Sequence, residues 1–191
     1  MNNEKFKYIF PTIEYKEQAI EYINEFIKYN SDINGTGNLD SYLEDYEQWL
    51  KKINEDKTKP FTDTSVPSLT YFLIRINDNK IIGMINIRLM LNEKLKKHGG
   101  NIGYSIRPTN RNKGYNLINL YLGLLVCKQY NLKEVLLDCE KNNLGSSKTM
   151  KHLGAKKITE KNIHNIIVED YIINVNESVD KYSEEFKNYF A

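Results

Sequence analysis

The residues best suited to chemistry in this sequence are a short basic cluster, Arg111-Asn112-Lys113-Gly114, and the stretches on either side of it. Asn101 to Ile106 reads as a strand. Arg107 precedes Pro108, which biases it to an extended conformation and ends the pairing there. Thr109 to Gly114 is turn chemistry, and from Tyr115 the apolar residues Leu117, Leu120, Leu124 and Leu125 take helical spacing. The order is therefore strand, basic glycine-containing turn, helix N-terminus. The first N–H groups of a helix lack intrahelical partners and the helix dipole adds positive potential, so such a junction suits a phosphate. Arg111 and Lys113 would bring full charges to the same place. The competing reading is an ordinary connection with solvated basic residues, because short phosphate motifs often match by chance.

A chain of 191 residues fits one domain and can bury a core. Its 40% hydrophobic and 27% charged residues place it with soluble globular proteins. A formal net charge of +2 gives no electrostatic case for a nucleic-acid partner, which would call for a basic face or stripe. No apolar run approaches a membrane span, and the start, MNNEKFKY, lacks the apolar region of a signal peptide. Cys127 and Cys139 read as free buried thiols rather than a disulfide, which suits a reducing cytoplasm. No Cys/His cluster has zinc-site spacing, so no metal is expected.

The elements that must position the basic turn are legible in outline. Phe6 to Phe10 reads as a strand, and Glu14 to Tyr29 as a helix with Ala19, Ile20, Ile23, Phe26 and Ile27 on one face. After the loop Ser31 to Asn38, a second helix carries Leu39, Tyr42, Leu43, Tyr46, Trp49, Leu50 and Ile53 on one stripe. Asn54 to Ser68 is a polar loop. Leu69 to Ile76 and Lys80 to Leu91 read as strands around Asn77-Asp78-Asn79. On the second of these, Asn86 and Arg88 share a face, where they serve either a structural pairing or a polar acceptor. Leu91 to Gly100 is a basic loop or short helix. Glu134 to Cys139 is another strand, and strand–helix–strand at this length implies a right-handed parallel crossover. Asp138 and Glu140 share a face there, where a carboxylate is unusual unless paired or functional. Ser146 to His152 gives a short helix, and Ala155 to Thr159 with Ile163 to Val175 an antiparallel pair. Val179, Tyr182, Phe186 and Tyr189 have helical spacing, so residues 178–191 read as an appended helix or tail beyond a single domain of residues 1–177.

Arg111-Asn112-Lys113-Gly114-Tyr115-Asn116 resembles the acyl-CoA pyrophosphate loop of the GNAT N-acetyltransferases, usually Arg/Gln-x-x-Gly-x-Gly/Ala, and Pro108 stands before it as it often does in that family. Asn143-Leu144-Gly145-Ser146 followed by Leu153-Gly154-Ala155 resembles the family's Asn-x-x-Ala/Ser block. The resemblance runs from about Ser68 to Val175, and departs at Asn116, where Gly or Ala is usual, and at Asn112, often Gly. It implies an α/β (α+β) fold: a twisted, mostly antiparallel sheet with a splayed parallel pair at its centre, the strands at Asn101 and Glu134, flanked by helices. It implies acetyl-CoA as acyl donor, with its pyrophosphate on Arg111 to Asn116 and further contacts at Asn143 and Ser146. It also implies a bulge near Tyr104 to Ile106, and pantetheine contacts from the main chain of Ser105, Ile106 and Arg107. The helix pair before the sheet forms a wall of the acceptor cleft in this family, so its aromatics either pack as core or line that pocket.

The family's leaving-group acid is commonly a Tyr where this chain has Met150, which has no proton to give. Tyr104 is the substitute to examine. Asp138 is the carboxylate best placed as a base, with Glu14, His98 and water as further alternatives. Asn86 and Arg88 are the candidate acceptor contacts. The resemblance thus implies acetyl transfer to a primary amine of a small molecule or peptide by direct attack in a ternary complex. A non-catalytic acyl-CoA-binding sensor or partner module is the alternative, and a homodimer is left open. An aminoacyl-tRNA acceptor fits poorly with the balanced charge.

Overall fold

The structure, a computed structural model, describes residues 4–190. Strand β1 (Phe6–Ile9) is followed by helices α1 (Lys16–Lys28) and α2 (Tyr46–Asp56). Then come β2 (Ser68–Arg75), β3 (Lys80–Arg88), the short α3 (Glu93–Lys97), β4 (Ile102–Ile106) and α4 (Tyr115–Gln129). The chain closes with β5 (Glu134–Glu140), α5 (Leu144–His152), β6 (Lys156–Ile163), β7 (Ile166–Asn174) and α6 (Val175–Phe186).

The strands form two antiparallel sheets, ordered β1-β2-β3-β4 and β5-β7-β6. Alternation along β3 explains how the first sheet is covered. Ile85 and Ile87 face α4, where they pack with Leu120 and Leu124. Met84 faces the other way, with Phe72, into a core built from Ala19, Tyr22, Ile23 and Phe26 of α1 and Trp49 of α2. Each of these side chains is fully or almost fully buried, worth about 1.5–3 kcal/mol apiece for the larger ones. Gly123 lets α4 approach the sheet closely, since a Cβ there would press on Ile85.

The expected parallel pair is a junction rather than a ladder. Asn101 N–H donates to Leu136 C=O (2.6 Å), and Leu136 N–H donates to Asn101 Oδ1 (2.8 Å). Beyond that point β5 bonds only to β7, so β4 and β5 part. Asn101 also grips β3: its Nδ2 donates to Arg88 C=O (3.0 Å), while its own C=O accepts Arg88 N–H (2.7 Å). Gly100 must be glycine here. Its φ is +57° and a Cβ would overlap the Leu136 carbonyl.

Several boundaries move from the sequence reading, for local reasons. The second helix begins only at Tyr46, because Asp45 has a non-helical backbone (φ −140°, ψ 70°) and caps it by accepting Gln48 N–H (3.0 Å). Leu39–Tyr42 forms a separate 3-10 turn. The β6–β7 hairpin turns through His164 and Asn165, both at positive φ, the backbone of a tight two-residue turn matched to strand twist. The final helix starts at Val175 and sinks Val175, Val179 and Phe186 into the core shared with α4; of the expected tail, Ala191 lies outside the described residues. No helix among the described residues is long and apolar enough to cross a membrane, and both cysteines are free and buried.

If Asn101 is the joint between the sheets, Asn101→Leu should cost about 2–4 kcal/mol in urea unfolding. It leaves Leu136 N–H and Arg88 C=O buried without partners, at about 1–3 kcal/mol each. A loss below about 1 kcal/mol would mean that the main-chain bonds hold the junction alone.

Candidate active site

The loop before α4 is shaped by two residues in the left-handed region, Asn112 (φ +61°) and Gly114 (φ +80°). Gly114 is the N-cap of α4 and provides no side-chain cap. In consequence the N–H groups of Asn112, Lys113, Gly114, Tyr115 and Asn116 make no hydrogen bond among the described residues. They form an uninterrupted run of donors at the positive end of a helix, with open space around Gly114. An anion is the natural ligand of such a run. Arg111 stays beside it: its Nε donates to Ile106 C=O (3.2 Å), its Nη2 to Ser31 Oγ (2.7 Å), and its guanidinium stacks 5.3 Å from the Phe26 ring. Lys113 points to a smaller neighbouring hollow with Glu4 and Tyr189. The departing residue, Asn116, donates through Nδ2 to Thr149 Oγ1 (3.3 Å), while its Oδ1 is buried without a partner among the described residues.

From this loop a cleft of about 1290 Å³ runs between β4 and β5. The register of β4 on β3 decides which main-chain groups reach it. Arg107 N–H donates to Ile82 C=O and Asn101 C=O accepts Arg88 N–H; pairing alternates from these points through the register Gly83↔Ile106 to Ile87↔Ile102. Ser105 and Arg107 therefore turn their main-chain groups to β3, and Tyr104 and Ile106 turn theirs to the cleft. Of the three strand residues expected to contact pantetheine, Ser105 and Arg107 turn their main chain away from the cleft, and only Ile106 faces it. Arg107 is removed altogether from the cleft. It is 0% exposed, with Nη1 paired to Glu21 (2.9 Å) and Glu25 (3.1 Å) and Nε donating to Ile81 C=O (3.2 Å). The Ser105 hydroxyl is likewise engaged, with Asn34 C=O (2.5 Å) and Tyr22 (3.0 Å). The expected bulge in β4 is absent: its register with β3 is unbroken, and the irregularity falls between β2 and β3, where Ile82 of β3 is passed over opposite Leu73/Ile74. None is needed, because alternation already aims Tyr104 and Ile106 N–H at the opening.

On the far wall, Asn143 caps α5 by accepting Ser146 N–H (3.1 Å). The Ser146 hydroxyl lies 2.8 Å from the Tyr104 hydroxyl across the cleft. Burial pushes the Tyr104 phenol well above its ordinary value, with the Ser146 hydrogen bond opposing, so it stays protonated and able to donate. Cys139 lines the same region; burial raises its thiol to about 11, so it is not a thiolate nucleophile at neutral pH. Met150 is fully buried in the main core. The position usual for a proton donor is a packing position here.

The acceptor-side expectations divide. Asn86 does not reach the cleft; its Nδ2 donates to Thr70 Oγ1 (3.1 Å) and Ser68 Oγ (3.3 Å) within the sheet. Arg88 does reach it, but its Nη1 is committed to Gly99 C=O and Gly100 C=O, both at 2.9 Å. Burial pulls its pKa below the usual guanidinium value, opposed by the Asp138 charge. No ion pair forms between Arg88 and Asp138 among the described residues. Asp138 Oδ2 instead takes Gly99 N–H (2.7 Å) and His98 Nδ1 (2.5 Å). The aromatics Tyr46 and Trp49 pack in the core beneath α1 rather than in the cleft. The cleft wall formed by Ser31, Asp32 and Asn34 carried no sequence signal beyond loop composition.

Gly114→Val should leave the fold nearly intact, at a strain cost of about 1–2 kcal/mol for a side chain in the left-handed region, because no neighbour crowds the site. It should weaken CoA binding by more than tenfold in calorimetry, since the branched side chain denies a phosphate close approach to the N–H run. Unchanged CoA affinity in a folded Gly114→Val protein would remove the loop from the binding site.

Comparison with known proteins bears on this geometry. The family model described as "Acetyltransferase (GNAT) domain" matches residues 11–156. No curated protein matches. Among solved structures, Mycobacterium smegmatis RimJ in complex with CoA-disulfide superposes with a TM-score of 0.71 at 10% identity, covering 94% of this chain and 88% of that one. The microcin C7 self-immunity acetyltransferase MccE, solved with acetyl-CoA and AMP, gives 0.63 at 16% identity over 89% and 92%. The ribosomal-protein-S5-alanine acetyltransferase of Vibrio fischeri gives 0.61 at 14% over 93% and 96%. With an unpaired N–H run before a helix, a cleft between parting strands and a family match across most of its length, the chain belongs to the GNAT acetyltransferases, whose acyl donor is acetyl-CoA.

Proposed function

We propose that this protein transfers the acetyl group of acetyl-CoA to the primary amine of a small molecule or peptide, by direct attack within a ternary complex. The observation that carries the reading is the run of unpaired N–H groups from Asn112 to Asn116 at the mouth of a cleft edged by Tyr104 and Ile106. The loop would hold the pyrophosphate. The cleft-facing main chain of β4 would bind the pantetheine amides and offer an N–H to the thioester oxygen. Asn143 and Ser146 line the opposite wall. Both partners held in one cleft turn a bimolecular encounter into an intramolecular one.

Tyr104 is the proton donor to the departing thiol in this reading, with Ser146 holding its hydroxyl. Its raised pKa keeps the proton available until a thiolate forms beside it. The Vibrio fischeri neighbour is named for a ribosomal protein alanine and MccE was solved with AMP, so both peptide and small-molecule acceptors fall within the class. Arg88, with Nε and Nη2 unbonded among the described residues, is suited to a carboxylate on the acceptor. A cytoplasmic setting fits the buried free thiols.

The burial of Met150 favours one second reading, an acyl-CoA-binding module without turnover. Thiol release from acetyl-CoA over a panel of amines, beside a binding measurement, separates the two. Tight binding without thiol release on any acceptor would establish the module. If turnover is found, Tyr104→Phe should lower kcat by about 10²-fold, within the range for general acid catalysis, and leave the acetyl-CoA Kd within twofold. An unchanged kcat would mean that the thiolate leaves without help from Tyr104.

A further inference from the structure

Beside the junction of the two sheets, away from the loop before α4, lies a hydrogen-bonded group of side chains that lines the cleft. His98 Nδ1 is 2.5 Å from Asp138 Oδ2, and the same oxygen accepts Gly99 N–H at 2.7 Å. An ionised carboxylate only accepts hydrogen bonds. In the neutral ring the pairing therefore places the imidazole proton on Nδ1 and leaves Nε2 as an acceptor. The Asp138 side chain is 13% exposed and that of His98 is 60% exposed, and both line the cleft. The carboxylate is buried behind the ring, and the ring's free edge is open.

The segment that carries the ring is fastened well beyond what a solvated histidine requires. Arg88 Nη1 donates to the carbonyls of Gly99 and Gly100 (2.9 Å each). Gly100 N–H donates to Leu95 C=O (2.9 Å) and His98 N–H to Lys94 C=O (3.0 Å). From β6, Lys161 bonds the Lys97 carbonyl and pairs with Asp170. Strand alternation also sets this group apart from the thiol side. Asp138 and Glu140 share one face of β5 and Cys139 takes the other, where it lies by Ser146, the partner of Tyr104. An acyl group held in the opening between β4 and β5 has His98 on one side and Tyr104 on the other.

We propose that His98 is the catalytic base that takes a proton from the acceptor amine, with Asp138 as the positioning residue that sets its tautomer and direction. The assignment rests on the acetyl-transfer reading above. The acceptor ammonium gives one proton to Nε2 and loses a second as its nitrogen forms the C–N bond. The C–S bond breaks with its electron pair on sulfur, which takes up one proton; the other passes to water. Each turnover yields amide, thiol and one proton. Asp138, read from sequence as the base itself, acts here through the ring. The charged groups around the imidazole are Asp138 and Glu140 from β5, Arg88 from β3, Lys94 and Lys97 on its own segment, and Lys161 from β6.

The test is steady-state kinetics across pH on an amine the protein acetylates, comparing wild type with His98→Gln, Asp138→Asn and His98→Ala given free imidazole. His98→Gln should lower kcat/KM for the amine by about 10²–10⁴-fold, the range for general acid–base catalysis. It should also abolish the acid limb of the pH–rate profile, with the acetyl-CoA Kd unchanged. Imidazole should restore part of the His98→Ala rate, which a merely structural role would not allow. Asp138→Asn should shift that limb and lower the rate by less. An acid limb persisting in His98→Gln, or rates within twofold of wild type, overturns the assignment while leaving acetyl transfer in place. A wild type that releases no thiol with any amine overturns both.

Discussion

Asn101 is the constraint on which the rest of the structure depends. One residue spends its N–H and Oδ1 on Leu136 and its Nδ2 and C=O on Arg88, so β3, β4 and β5 meet at a single buried point. Each bond alone contributes on the order of 1 kcal/mol. Their value is geometric. With the sheets joined at one end and β5 claimed thereafter by β7, β4 has an unpaired edge that begins buried in protein and opens into the cleft. Unpaired strand edges are ordinarily a liability. Here the edge is enclosed by α4, α5 and the loop after α1, where a ligand with amides of its own can complete it.

The same junction divides the cleft chemically. The N-terminal end of α4 and its preceding loop present a run of unpaired N–H donors, a setting for phosphates. The face toward α5 holds hydroxyls and a protonated thiol, Tyr104, Ser146 and Cys139. The other face holds Arg88, Asp138 and His98: Arg88 donates to the Gly99 and Gly100 carbonyls, and Asp138 accepts the Gly99 N–H and pairs with His98. Arg107 supports this arrangement from below. Buried completely, it draws Glu21 and Glu25 of α1 onto the end of β4, and Glu25 Oε1 in turn accepts the Thr109 N–H and hydroxyl at 2.8 Å each. Glu21 is largely exposed and its pair is worth little by itself. Glu25 is mostly buried, and it anchors the turn from which the loop before α4 departs.

The order of elements, the glycine-containing turn before α4 and the mixed fold were legible in the sequence because they rest on local physics. Helical spacing from Leu117 to Leu125, the Pro108 break, the turn residues before Gly114 and the alternation along β3 each act within a few residues. Met150 as a position without a donor was legible in the same way. What tertiary structure decided was every question of direction. Which β4 amides face the cleft depends on register with β3, and a shift of one residue would exchange Ser105 and Arg107 for Tyr104 and Ile106. Asn86 and Arg88 lie on one face as alternation requires. Asn86 meets the hydroxyls of Thr70 and Ser68, while Arg88 passes beyond the sheet to Gly99 and Gly100. His98 and Asp138 stand forty positions apart, and no periodicity links them. Only the closing of β5 against Asn101 brings that carboxylate to that ring, because hydrogen-bond partners across a fold are chosen by where the backbone ends up in space and not by spacing along the chain.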